Sequence, residues 1–193
     1  MDGSIALGIA GTVAGIVAIK MATQPLLQVL YGQPRLRTKF EVGVEGVDRF
    51  LLVYLDNPPI KNRILKKLKV KRNPIQSLTV QFRIREAGSG KIVDPIRNAR
   101  IFSDDDDDDS GHWRISLPPT FSVSASIMVA RWDTQKKKAC VLPDRTKPEL
   151  ILESGQYKVD IIFLVDGEEK IETRQFVVGQ EADDLKWITP ARS

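Results

Sequence analysis

The chain carries a single histidine, His112, and a single cysteine, Cys140, so a nucleophile paired with an imidazole has only these two residues to draw on. Neither sits in a recognisable local signature. His112 stands between Gly111 and Trp113 at the start of an expected strand and reads as a surface histidine. Phosphate-cradling loops, paired metal ligands and dinucleotide fingerprints are missing from the sequence. The expectation is a protein that is not an enzyme, with no catalytic, cofactor-binding or metal-ligating residues. One cysteine cannot form an internal disulfide, so nothing points to an oxidising compartment.

Two charge runs remain as candidates for binding. "SDDDDDDSG" (103 to 111) holds six consecutive aspartates, Asp104 to Asp109. Carboxylate oxygens suit a hard cation such as calcium, but this run lacks the spaced ligands and central glycine of a calcium loop. It reads as a solvated hairpin loop. "KNRILKKLKVKR" (61 to 72) holds Lys61, Arg63, Lys66, Lys67, Lys69, Lys71 and Arg72 with no acid between them. Ile60, Ile64, Leu65 and Leu68 fall at helical spacing, which suits a short amphipathic helix; alternatively, Leu68 and Val70 open a strand. Such a segment is drawn to anionic lipid, each base contributing about 1 kcal/mol near the surface. Without interleaved aromatics to stack on bases, the run argues against nucleic acid. The plainer alternative is a solvated connection.

The elements that would position these runs begin with "GSIALGIAGTVAGIVAI" (3 to 19), which no charge interrupts. A signal peptide needs a basic n-region, whereas the chain opens Met1-Asp2-Gly3. At ~1.5 Å per residue the stretch covers ~26 Å, and a snorkelling Lys20 with Met21 and Ala22 would complete a crossing of ~30 Å. Gly8, Gly11 and Gly15 would weaken a helix in water but favour close helix packing in lipid, through which a protein partner or a second copy would associate. The expectation is one N-terminal transmembrane helix, an anchor over residues 1–22. Lys20, Arg35, Arg37 and Lys39 follow it, which places the bulk of the chain in the cytoplasm by the positive-inside bias. Residues 23–35 read as a juxtamembrane linker. Pro25 and Pro34 limit helix there, and Leu26, Leu27, Val29, Leu30 and Tyr31 suit the lipid interface.

From Leu36 the period changes to two. Leu36, Thr38, Phe40, Val42 and Val44 alternate with charged residues, the mark of a half-buried strand. "RFLLVYL" (49 to 55) is apolar on both faces and reads as an interior strand; Asn57-Pro58-Pro59 ends it. In "SLTVQFRIR", Leu78, Val80, Phe82 and Ile84 alternate with polar residues, and "EAGSG" turns the chain back. Further strands are expected at 91–93, 99–103, 113–117, 121–132 and 139–142. A closing hairpin forms from "YKVDIIFLV" and "KIETRQFVV" around Asp166-Gly167. About eight short strands separated by turn signals predict an all-β antiparallel sandwich over residues 36–179. The tail 180–193, with Leu185, Trp187 and Ile188, reads as either a strap over the domain or an exposed docking peptide.

Within "LESGQYKV" (152 to 159), Glu153, Gly155 and Tyr157 resemble the tyrosine corner of immunoglobulin-like domains, in which the tyrosine hydroxyl ties back to upstream backbone. The resemblance implies an Ig-like β-sandwich, with Val159 where those domains carry a cysteine. It is a likeness of fold and carries no function. The leading expectation is a single-pass membrane-anchored, non-catalytic binding or scaffold protein. The alternative is an extracellular filament subunit, since an apolar N-terminal helix before a β-sandwich resembles the plan of archaeal pilins and archaellins. Against it, Met1-Asp2-Gly3 lacks the bases of a pilin-type cleavage site.

Overall fold

The computed structural model describes residues 23–103, 111–119 and 125–188. It is an all-β, antiparallel, two-sheet sandwich, compatible with the immunoglobulin-like fold in general. Helix α1 (23–31) comes first. The elements that follow are β1 (Arg37–Glu45), β2 (Asp48–Asp56), α2 (Arg63–Lys67), β3 (Ile75–Glu86), β4 (Ile92–Asn98), β5 (Ile101–Ser103) and β6 (Ile115–Leu117). Then come β7 (Ala125–Asp133), β8 (Lys138–Val141), β9 (Leu150–Leu152), β10 (Gly155–Val165), β11 (Glu168–Val178), a 3-10 turn (Ala182–Asp184) and β12 (Lys186–Ile188).

The first sheet runs β1-β2-β7-β8-β9, with β5 also paired to β7. The second runs β12-β11-β10-β3-β4, with β6 also paired to β3. The chain steps from one sheet to the other at Ala99 and Arg100, between β4 and β5. Strand alternation builds the core. Leu51, Val53 and Leu55 face Val80, Phe82 and Ile84 across it, joined by Val159, Ile161 and Phe163. Each of these large side chains contributes about 2 kcal/mol by leaving water. As its sequence implied, β2 is interior, held between β1 and β7.

The spanning anchor is corrected, and with it the single-pass membrane protein. Among the described residues no helix is long and apolar enough to cross a membrane. The helix on the N-terminal side, α1, has nine residues. At ~1.5 Å per residue it reaches ~14 Å, about half the hydrocarbon thickness. Residues 1–22, including Gly8, Gly11 and Gly15, lie outside the described residues, as do Asp104 to Asp109. Helix α1 also occupies part of the stretch expected to be a linker. Pro25 falls in its first turn, where a missing N–H costs nothing.

The tail is a strap as far as Ile188. Strand β12 pairs with β11, and Trp187 stands edge-on to both Phe40 and Phe176, closing the sandwich where β1 and β11 would otherwise part. Its indole N–H donates to the Glu41 carbonyl at 2.9 Å. The expected tyrosine-corner bond is present: the Tyr157 hydroxyl donates to the Glu153 carbonyl at 2.8 Å, and the ring stacks on Phe176.

Candidate functional site: a basic, apolar end

One end of the sandwich gathers α1, α2 and the segment between α2 and β3. Helix α2 forms because the Asn62 side chain caps it, accepting from the Ile64 and Leu65 N–H groups. Lys66 and Lys67 lie in its last turn, where they suit the helix C-terminus. Lys69 ends it in the left-handed region, at φ 58°. Ile64, read as part of an apolar face, points outward at 68 % exposure. Val70 is buried, and no strand opens before Ile75.

Helix α1 docks on this segment through one polar side chain. The Gln28 amide donates to the Lys71 carbonyl at 2.6 Å and to Asn73 Oδ1 at 3.0 Å, while its oxygen accepts from the Lys71 N–H at 3.0 Å. The Asn73 N–H donates to the Gly32 carbonyl, and Arg72 Nη1 donates to the Gln33 carbonyl at 2.7 Å. Asn57, fully buried, fastens the group to the sandwich. Its amide donates to the Asn73 and Leu117 carbonyls, and its oxygen accepts from the Arg35 N–H.

This docking turns α1 the unusual way round. Gln24, Leu27 and Gln28 are half-buried, whereas Leu26, Val29 and Leu30, at i, i+3 and i+4 spacing, are 59 to 64 % exposed. Tyr31 beside them is half exposed. An amphipathic helix on a water-soluble domain normally buries its apolar stripe.

The seven bases of the run are all brought to this end. Lys61, Arg63, Lys66, Lys67, Lys69 and Lys71 are exposed, and Arg72 is half-buried. Among the described residues, no carboxylate pairs with Lys61, Arg63, Lys67, Lys69, Lys71, Arg72 or Arg35. Burial, and next the charge of Arg35, push the Arg72 guanidinium below its ordinary value. Its Nε is buried without a partner among the described residues. A cleft of about 280 Å³ opens here, lined by Pro59, Ile60, Val70 and Pro119 together with Lys66, Lys71 and Arg72.

The other candidates fall elsewhere. His112 bridges backbone-to-backbone with Ile101 beside β5. Cys140 is buried in β8, opposite Arg131 of β7. Burial pushes its thiol up, and the Arg131 guanidinium offsets that only in part. The thiol is therefore protonated at neutral pH, the unreactive form. Among the described residues no group of three His, Cys, Asp or Glu side chains could hold a metal ion. Asp160, missed in the sequence, is buried on the outer face of the second sheet. It accepts from Arg83, Arg85 and Thr173 at 2.8 to 3.2 Å. That network ties three neighbouring strands and reads as structural.

Helix α1 was likewise missed. Its signal was the spacing of Leu26, Val29 and Leu30 between Pro25 and Gly32. Comparison with known protein families, with curated proteins and with solved structures finds no match for this chain.

Proposed function

We propose that the chain is an immunoglobulin-like sandwich serving as a non-catalytic binding module, whose basic end rests on an anionic membrane surface. The observation that carries this reading is the Gln28 clamp. It holds an outward apolar stripe, Leu26, Val29 and Leu30, against the basic segment at Lys71. Apolar side chains that enter the interface, flanked by cations that meet lipid phosphates, are the two components of peripheral membrane binding. No spanning segment is invoked. The immunoglobulin-like assignment draws support from the Tyr157 bond to Glu153 in the corner entering β10. An acidic protein would satisfy the bases but leave the apolar stripe in water, so lipid is favoured.

The test is co-sedimentation of the full chain with vesicles of phosphatidylcholine alone or containing phosphatidylserine. Binding is expected to favour the anionic vesicles and to fall as salt rises, since surface charge is screened within about 8 Å at physiological ionic strength. Changing Lys66, Lys67, Lys69 and Lys71 to Gln should cost more than about a hundredfold in affinity, at ~1 kcal/mol per base, and leave the fold intact. Equal binding to both vesicle types, or to neither, overturns the reading.

A further inference from the structure

The cleft beside α2 has a make-up that a merely solvated surface does not need. Its walls, Pro59, Ile60, Val70 and Pro119, are apolar, while Lys71 and Arg72 are cationic. Among the described residues no acid lines it, and the charge of Arg35 opposes that of Arg72. Like charges held together beside an apolar recess are relieved by an anion that brings its own apolar portion. We propose that this cleft seats one anionic membrane lipid, with its acyl chain on the apolar wall and its phosphate at Lys71 and Arg72. This rests on the membrane-facing reading of the same end and deepens it from a charged surface to a site for a single molecule.

Size and chemistry narrow the ligand. At about 280 Å³ the cleft lies just below the ~300–1,000 Å³ range of sites for drug-sized molecules, so it suits a length of alkyl chain. Among the described residues no aromatic side chain lines it to stack on a base, which disfavours a nucleotide. A zwitterionic head would bring its own cation to Arg35 and Arg72, leaving their repulsion uncompensated.

Titration calorimetry on the full chain tests this with lysophosphatidic acid below its micelle concentration. Lysophosphatidylcholine of the same chain length and inorganic phosphate serve as the comparison arms. Saturable one-to-one binding is expected for lysophosphatidic acid, on the order of tenfold or more weaker binding for lysophosphatidylcholine, and none measurable for phosphate. Pro59→Trp, which fills the half-exposed mouth of the cleft, should weaken lysophosphatidic acid binding at least about tenfold while the charge preference for vesicles persists. Should that variant not fold, Pro119→Trp gives the same readout, because Pro119 also lines the cleft, is half-exposed and carries no charge. The site is overturned by an absence of saturable binding, by equal affinity for phosphate alone, or by affinity unchanged in a folded cleft variant. Failure of the membrane reading shows separately, as vesicle binding without charge preference.

Discussion

At the scale of single residues, two polar side chains hold loops whose sequences offer little else to fix them. Tyr157 is buried, and its hydroxyl bond to the Glu153 carbonyl pins the chain as it enters β10. Tyr157→Phe keeps the ring on Phe176 and removes only the bond, so about 1 kcal/mol of stability should be lost, read as a lower melting midpoint. An unchanged midpoint would remove the corner as a stabilising device. Asp144 works through charge. Burial alone would raise its carboxyl, but backbone N–H groups of Asn98, Thr146 and Lys147 and the Thr146 hydroxyl overcome this and hold it at about 2. Because the folded value lies below the ordinary 3.8, the stabilisation is complete above 3.8 and is lost as pH falls towards 2. Asp144→Ala should therefore be less stable than the native chain at neutral pH. Denaturant melts should show that gap narrowing as the solution is acidified through this window.

Among the elements, the strands with strict alternation were legible because one buried face forces period two on the sequence. Strand β3, from Leu78 to Ile84, is the clearest case. Strand β9 escaped notice because Leu150-Ile151-Leu152 is too short to show a period, and its pairing to β8 is what makes it a strand. Helix α1 escaped because its apolar stripe faces outward, so two prolines and an exposed apolar run read as linker. The basic run was visible as composition, but its joining to α1 through Gln28, 43 residues away from Lys71, is a tertiary fact that no local pattern announces. The same holds for the tail, where Trp187 alone could not tell a strap from a docking peptide. Its place between Phe40 and Phe176 decides that. Trp187→Ala should cost about 2–3 kcal/mol, below the range for fully buried tryptophan because the ring is half-buried, and urea melts would measure it.

For the whole molecule, charge and apolar exposure concentrate where β1 leaves Arg37 and β2 reaches Asp56, while the β1–β2 hairpin carries Val44 and Val47 to the opposite end. A module resting on its basic end would hold this hairpin about nine residues of strand away, on the order of 30 Å if the strands stand upright. Cys140 adds a consequence for how such a molecule can be watched. As the chain's single thiol, it is buried within β8 in protonated form. A thiol reagent added to the intact fold has nothing to modify until the short β8–β9 edge swings away, so each labelling event is a timestamp of that edge opening. The chain thus carries a stopwatch for its own breathing, and running it with and without vesicles would report whether contact at the basic end quiets the far edge of the first sheet.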